Sequence, residues 1–482
     1  MDNLSFASAH ALATAIRERE LSAVELVRAS LARIEAVNPR LNAFVVLCPE
    51  RALADAEAID RRLAAGEDVG PLAGLPLGVK DLEHVAGLPT SFGSVPYRDY
   101  RPTADSIEVA RLKAAGAIVI GKTNTPEFGY TALTKNLVFG VTRNPWNLER
   151  TPGGSSGGSS AAIASGMVPL ATASDGGGSI RIPACYVGAF GLKPSFGRVP
   201  VEARGPGTPM SAWIDTVCYG PLTRTVRDGA LFLDAVAGPD PADPDSLPAP
   251  PVSYSAVLAD LPPGLPIALS KTLGYAMVQD DVWREVEAAA AAFRELGHRV
   301  DFIDDELAGS GGLEPLPDLG VEWALVSASE TYAAIGEDIE ANRDKFGRAF
   351  LEGMEHGKKI GPDFMARAQR KRALLHARLT DLFARYALLL TPTLPTEAFP
   401  ASGPFPTEIN GVPIESALGA VAFTYPFNFS GHPAASVRAG LTDAGLPAGM
   451  QIVGPRHRDE LVLQAAYAYE QARPWNDRWP TL

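Results

Sequence analysis

A lysine and two serines in the first half of the chain could together perform nucleophilic chemistry. Lys80 ends the apolar stretch LPLGVK, Ser155 lies in a glycine-rich loop, and Ser179 ends the run DGGGS. A serine hydroxyl is a weak nucleophile and needs a base. A lysine amine can be that base when burial lowers its pKa, because desolvation penalises the ammonium form. These residue types therefore predict a serine nucleophile activated by a neutral lysine.

Three consecutive glycines, residues 176–178, precede Ser179. Glycine lets the backbone approach a ligand closely, and successive N–H groups can then point at one spot. Such donors stabilise the oxyanion that forms when a nucleophile attacks a carbonyl. A helix is expected to begin just after Ser179, and its N-terminal dipole would add to that stabilisation. The segment favours acyl transfer.

Residues 116–123, GAIVIGKT, match the phosphate-loop pattern G-x-x-x-x-G-K-[ST]. That loop must follow a strand and wrap phosphates with backbone N–H groups. Here the intervening residues are apolar and read as a strand themselves, while Gly116 reads as the stop of the preceding helix. An extended buried strand cannot curl around a phosphate, so no nucleotide site is predicted there.

A second motif, GGSSG at residues 153–157, fits the G-x-S-x-G nucleophile elbow around Ser155. The elbow needs a strand before it, with a histidine base and an acid elsewhere. A polar loop precedes it instead, and none of the seven histidines lies near it in sequence. A distant histidine could still fold in, so an α/β-hydrolase-type esterase using Ser155 stays an alternative. A flexible linker is disfavoured, because apolar residues separate the Gly/Ser clusters.

Residues 74–193 closely resemble the amidase signature family, and weaker similarity continues to residues 220–222 and 445–454. The matching segments are GLPLGVKD, GKTNTPEFG, FGVTRNPWN, PGGSSGGSSAA and SDGGGSIRIPA, with GLKPSFGRVP after them. The spacing of Lys80, Ser155 and Ser179 also looks like that of the family. A motif of this length with matched flanks rarely arises by chance.

The resemblance implies a role for each of these residues. Ser179 would be the acyl nucleophile, Lys80 the base, and Ser155 the bridging serine in a cis peptide with Gly154. The oxyanion hole would be formed by the backbone N–H groups of Gly176, Gly177, Gly178 and Ser179.

The resemblance also implies which residues surround the substrate. Gly129 and Tyr130 align with acyl-pocket positions, Gly154 would border the substrate, and Ser174 would steady the lysine–serine network. Asp175 and Arg181 would form a structural ion pair. Apart from the resemblance, the residue types of Phe128, Tyr130, Met210 and Trp213 hint at an apolar pocket. One departure from the family is Gly176, where Thr, Ile or Leu is usual; it gives the loop backbone freedom and could enlarge the acyl side.

The function implied is an amide-bond hydrolase for small apolar or aryl acyl amides, working through a Ser179 acyl-enzyme and a Lys80–Ser155 proton relay. No metal or organic cofactor is expected. Anilides, carbamates (urethanes) and esters are alternative substrates of the same carbonyl geometry. An alternative of another class is the glutaminase subunit of a tRNA-dependent amidotransferase. The expected partner is a small-molecule amide, bound by a monomer or homodimer.

The elements that must position these residues alternate between helix and strand through the first third of the chain. We expect an α/β fold with a large mixed, mainly parallel central sheet covered by helices on both faces, as in the amidase signature fold. Residues 1–482 are expected to form one domain with a signature core at about 74–222. A proline-rich excursion spans 239–266, and a helical, cap-like region is inserted near 320–385.

Composition excludes several other classes of protein. The 482 residues carry a formal net charge of −13, which argues against nucleic-acid binding, since that needs a basic patch. Three cysteines cannot form a disulfide framework and fit a reducing compartment. The sequence contains no run of 18 apolar residues, so no membrane span is predicted. The first residues do not resemble a signal peptide. A cytoplasmic protein is expected.

Overall fold

A computed structural model describes residues 2–202 and 215–482 of the chain. The helices, in chain order, are α1 (Asp2–Ser5), α2 (Ala9–Arg17), α3 (Ala23–Leu41), α4 (Pro49–Ala64), α5 (Ile107–Ala114), α6 (Gly157–Ala164), α7 (Arg181–Val187), α8 (Val226–Val236), α9 (Asp280–Glu295), α10 (Asp304–Leu307), α11 (Gly320–Ala341), α12 (Arg348–Gly357), α13 (Pro362–Phe383), α14 (Tyr425–Phe429) and α15 (Asp459–Ala472). None of the helices found there is long and apolar enough to cross a membrane.

The strands, in the same order, are β1 (Phe44–Leu47), β2 (Pro76–Lys80), β3 (Ile118–Thr123), β4 (Lys135–Asn136), β5 (Gly140–Val141), β6 (Leu170–Asp175), β7 (Phe190–Lys193), β8 (Cys218–Thr223), β9 (Pro266–Leu269), β10 (Arg299–Phe302), β11 (Leu388–Pro392), β12 (Glu408–Ile409), β13 (Val412–Pro413), β14 (Ala434–Leu441) and β15 (Pro447–Val453). The described strands form one 11-stranded sheet and two small two-stranded ribbons.

The large sheet has the strand order β1-β3-β2-β6-β8-β7-β14-β15-β11-β9-β10. Its mixed character is confirmed: β3, β2 and β6 are parallel neighbours, and so are β11, β9 and β10. The other neighbouring pairs are antiparallel, which is a larger antiparallel share than the expected mainly parallel sheet implies. A short connection of residues 442–446 joins β14 to β15 and leaves no room for the crossover that parallel pairing needs.

Helices cover both faces of the sheet around the site. Every residue of β2, β3, β6 and β8 is buried. Successive side chains of a strand point to opposite faces, so a strand that is buried throughout must be covered on both sides. The arrangement holds the carboxyl ends of β2 and β6 at the same edge of the sheet, where the glycine-rich loop follows β6.

The phosphate-loop match is part of this sheet. Residues 118–123 form β3, all of them buried, and Gly116 ends the preceding turn with a φ of +100°. The extended backbone leaves no concave loop that could surround a phosphate. The prediction that this motif binds no nucleotide therefore agrees with the local structure.

The helical region predicted near 320–385 is confirmed as α11, α12 and α13. It packs against loops of the core through an aromatic cluster in which Phe128 stacks on Phe350 at 5.3 Å between ring centroids. Gly347, which precedes α12, donates its N–H to the buried Glu127 carboxylate at 2.7 Å. The inserted helices therefore contact the segment 127–130, which lines the cavity described next.

Candidate active site

Lys80 is the last residue of β2 and is fully buried. Its backbone N–H donates to Thr172 Oγ1 on the neighbouring strand β6 at 3.0 Å. Its side-chain Nζ lies 2.8 Å from Ser155 Oγ and 3.0 Å from Ser174 Oγ. The structure thus brings the lysine together with two of the predicted serines.

Burial lowers the pKa of the Lys80 ammonium to about 7, because removal from water disfavours its charge. The negative charges of Glu83 and Asp175 oppose this shift without cancelling it. The amine is therefore neutral in a large fraction of molecules near pH 7, and a neutral amine can accept a proton from a hydroxyl group.

Ser155 lies in the loop before α6, and the peptide between Gly154 and Ser155 is cis, as the resemblance implies. A Cβ atom added to Gly154 would lie 2.7 Å from the carbonyl oxygen of Thr131, so the loop is packed closely there. Ser156 donates its backbone N–H to the carbonyl oxygen of Ser179 at 3.3 Å. This bond joins the two serine-bearing loops.

Ser179 follows β6 and is half-buried, with its side chain at the wall of a cavity. Within residues 2–202 and 215–482, its Oγ forms no hydrogen bond, and none connects it to Ser155 Oγ. The predicted contact between the two hydroxyls is therefore absent from this arrangement, although both residues line the same cavity. The hydroxyl of Ser179 thus has no hydrogen-bond partner among the described residues, and the residue borders the cavity.

The predicted oxyanion hole needs one correction. Gly178 donates its N–H to Asp175 Oδ1 at 2.6 Å, because the carboxylate folds back under the loop. That N–H is not available for a substrate oxygen. The N–H groups of Gly176, Gly177 and Ser179 have no acceptor among the described residues and remain as candidate donors.

The predicted ion pair of Asp175 and Arg181 is confirmed, with 2.9 Å between Oδ1 and Nη2 and both side chains fully buried. Burial alone would raise the pKa of the Asp175 carboxyl, but the Arg181 guanidinium holds that pKa well below its usual range. Arg181 also donates to Gln451 Oε1 and Asn428 Oδ1. The pair connects the end of β6 with the start of α7. It so fixes both ends of residues 176–179, which we call the glycine loop.

A cavity of about 300 Å³ opens beside Ser179. The described residues that line it carry no ionisable acid or base other than tyrosine. The wall contains the predicted residues Ser155, Ser174, Gly176, Gly177, Ser179, Gly129, Tyr130 and Phe128, and the additional residues Leu82, Thr131, Ala132, Ile182, Val201, Thr216, Val217, Tyr219, Trp323, Ala324, Ser327, Thr331, Phe405, Ala417, Leu418 and Val421. Met210 and Trp213 lie outside the described residues.

Gly129 lies directly against Ser155. Its φ is +72°, and a Cβ atom at this position would come within 3.1 Å of Ser155 Oγ and 2.8 Å of Leu82 Cδ1. Tyr130 packs edge-on against Phe350 of α12, with 5.6 Å between ring centroids. The two predicted acyl-pocket residues therefore join the loop that carries Ser155 to the inserted helices.

Sequence reasoning missed Trp323, Thr424 and Phe405. Trp323 donates its indole N–H to the carbonyl oxygen of Gly176, and Thr424 donates its hydroxyl to that of Gly177. These residues come from segments far from the signature core and belong to no motif. The only available signal was a tryptophan inside an otherwise charged, helical region.

The positions of the side chains support neither a nucleophile elbow at Ser155 nor a metal site. Ser155 Oγ contacts Lys80 Nζ, and none of the seven histidines lines the cavity. In the described part of the chain, no group of three or more His, Cys, Asp or Glu residues gathers as metal ligands would.

Comparison with known proteins gives consistent matches over almost the whole chain. A family model described as Amidase matches residues 25–463. An acylamidase from Rhodococcus erythropolis is 38% identical over 478 residues, which cover 99% of this chain and 98% of that protein. A glutamyl-tRNA(Gln) amidotransferase subunit from Geobacter metallireducens is 38% identical over 492 residues, covering 97% of each. A solved bacterial aryl acylamidase of the amidase signature family has a TM-score of 0.90 at 35% identity and covers 98% of this chain and 97% of its own.

Proposed function

Because this chain belongs to the amidase signature family and is an amide hydrolase, we propose that its substrates are small, uncharged acyl amides, including aryl acyl amides. The observation that carries this proposal is the cavity beside Ser179, whose described lining residues are apolar or uncharged polar. An apolar wall with a few polar groups at one end is typical of a site that binds an apolar ligand and orients one functional group.

The reaction begins with the neutral amine of Lys80. It accepts a proton from Ser155 Oγ, which in turn accepts one from Ser179 Oγ once the substrate brings the two hydroxyls into line. Ser179 Oγ then bonds to the amide carbon, and the carbonyl electrons move to the oxygen. The N–H groups of Gly176, Gly177 and Ser179 stabilise this oxyanion, and one such donor is typically worth about 3–4 kcal/mol.

The intermediate collapses when the carbon–nitrogen bond breaks. An amine anion is a poor leaving group, so the nitrogen must receive a proton first. Ser155 supplies that proton and regains one from the Lys80 ammonium. Water then attacks the acyl-enzyme, with its proton passing back along the same relay, and releases the carboxylic acid.

Carbamates, anilides and esters present the same carbonyl to this relay and remain candidate substrates. The glutaminase alternative is supported by similarity to an amidotransferase subunit. Free glutamine, however, carries an ammonium and a carboxylate, and burying unpaired charges is costly. The described residues that line the cavity offer no counter-charge to the ammonium or to the carboxylate of glutamine. This favours uncharged acyl amides as substrates.

A panel of chromogenic anilides, alkyl amides, carbamates and esters, together with glutamine, tests the proposal. We expect the highest kcat/KM for an apolar acyl anilide and very slow release of ammonia from glutamine. Ser179→Ala should abolish turnover of every substrate while the protein stays folded. Preferred turnover of glutamine, or undiminished amide hydrolysis by Ser179→Ala, would contradict the proposal.

A further inference from the structure

We infer that Trp323 is a positioning residue that sets the direction of an oxyanion-hole N–H group, and that Thr424 restrains the next peptide of the loop; this rests on the proposed function. Trp323 lies in the first turn of α11, far in sequence from the glycine loop. Among the described residues, the hydrogen bond of Trp323 is the one that joins the inserted helical region to the glycine loop. The inference assigns that region a part in the reaction.

The contact is a hydrogen bond from Trp323 Nε1 to the carbonyl oxygen of Gly176, 2.7 Å long. The peptide between Gly176 and Gly177 is trans, so its C=O and its N–H point in opposite directions. Holding the carbonyl toward the indole therefore turns the N–H of Gly177 away from it. That N–H is one of the three candidate oxyanion donors.

The neighbouring peptides of the loop are anchored in the same way. Asn428 Nδ2 donates to the carbonyl oxygen of Asp175 at 2.8 Å, which directs the N–H of Gly176. Thr424 Oγ1 donates to the carbonyl oxygen of Gly177 at 2.6 Å. The N–H of that last peptide donates to Asp175, so both of its ends are fixed. Glycines have no side chains to restrict them, and these external donors replace that restriction.

The indole itself is held firmly. A Cβ atom added to Gly177 would lie 2.1 Å from Trp323 Cζ2, so the ring rests directly on the glycine backbone. The indole also stacks on Tyr425, with 5.9 Å between centroids and 14° between planes. The Tyr425 hydroxyl donates to Asp318 Oδ1 at 2.6 Å. The donor nitrogen is therefore a preorganised support, as an oxyanion hole requires.

Trp323→Phe tests this, because phenylalanine keeps an aromatic ring and removes the N–H donor. We expect kcat to fall about tenfold and KM to change less than twofold, since the oxyanion exists only after attack on the carbonyl. A substrate-shaped trifluoromethyl ketone, which forms a hemiketal oxyanion with a serine, should lose about tenfold in affinity. An ether of the same shape without the carbonyl should bind unchanged.

Ser327→Ala is the matched control. Ser327 lies one turn further along α11 and lines the same cavity, but no hydrogen bond joins it to the glycine loop within the described residues. This variant should leave the ratio of ketone to ether affinity unchanged. Thr424 gives a second pair, which acts on the peptide that follows the Gly177 N–H. Thr424→Val removes the donor at nearly constant volume and should lower the ratio less than Trp323→Phe does, while Thr424→Ser keeps the hydroxyl and should preserve the ratio. If Trp323→Phe does not fold, this pair still tests whether donors outside the loop support the oxyanion hole, and equal ratios in Thr424→Val and Thr424→Ser would overturn the inference.

For Trp323→Phe, two results would overturn the inference. One is an affinity ratio in Trp323→Phe equal to that of Ser327→Ala. The other is an equal loss of ketone and ether binding, which would mean that the indole only shapes the cavity. Both differ from failure of the proposed function, in which the wild-type protein would form no Ser179-dependent adduct with the ketone at all.

Discussion

Lys80 and Lys122 are both fully buried on the neighbouring strands β2 and β3, yet their surroundings differ. Lys122 Nζ lies 3.3 Å from Asp81 Oδ1, so its charge has a buried partner. Lys80 Nζ instead contacts the hydroxyls of Ser155 and Ser174. A buried amine among neutral hydroxyls is suited to exchanging protons, whereas an ion-paired amine is suited to holding structure.

The pH dependence of turnover should follow Lys80. Its pKa is lowered to about 7, so the amine is neutral and active as a base above that value and protonated below it. We expect kcat/KM to rise tenfold per pH unit below about pH 7 and to level off above it. A pH–rate profile with a neutral anilide measures this. A profile that is flat between pH 5 and pH 9 would contradict the assignment, and Lys80→Arg should be inactive at every pH.

The residues that we propose carry the chemistry were predictable because they lie in one motif-rich stretch. Lys80, Ser155 and Ser179 come together as that stretch implied, apart from the missing contact between the two hydroxyls. Trp323 and Thr424 were not predictable. Their role depends on which distant segments fold over the loop, and a backbone carbonyl that needs a donor leaves no mark in the sequence.

At the scale of elements, the glycine loop is held by the strand before it and the helix after it. Asp175 ends β6, Arg181 begins α7, and the buried ion pair between them closes the loop. Apolar runs bounded by glycine and polar residues predict strands at the positions of β2, β3 and β6. A helix was expected to begin just after Ser179, where α7 starts. The position of β8 beside β6 could not, because strand order is set by tertiary packing rather than by local pattern.

Asp175→Asn should therefore destabilise the protein strongly. The change leaves the Arg181 guanidinium buried without a counter-charge, and breaking a buried pair in this way typically costs about 3–5 kcal/mol. Denaturant unfolding measures the loss. The matched control is Asp363→Asn, which removes the same charge from an exposed pair with Arg367 and should cost under about 1 kcal/mol. Equal losses in the two variants would refute the structural role of the pair.

At the scale of the whole molecule, a buried base costs stability. The pKa of Lys80 is about 7 in the folded protein against 10.5 for an ordinary lysine. Between these values the unfolded chain binds the proton that the native protein lacks, so stability rises with pH. Near neutral pH the folded protein would therefore be more stable without the Lys80 amine. Such a cost is common at sites whose function requires a shifted pKa.

Lys80→Met should reveal this cost as a pH-dependent difference. We expect the stability of the variant relative to wild type to fall by about 1.4 kcal/mol per pH unit between about pH 7 and pH 10, since only the wild type gains stability there. Unfolding curves at several pH values measure it. Leu77→Met, in the same strand, changes no charge and should show a constant difference from wild type. A constant difference for Lys80→Met as well would mean that its amine stays charged in the fold.

We propose above that Ser179 is the nucleophile and that Lys80, through Ser155, is its base. The most direct measurement is peptide mass spectrometry after reaction with a fluorophosphonate, in which a serine oxygen displaces fluoride from phosphorus. We expect one modified serine, Ser179, with no labelling in Ser179→Ala and much slower labelling in Lys80→Ala. A label on Ser155, or full labelling of Ser179→Ala, would contradict it.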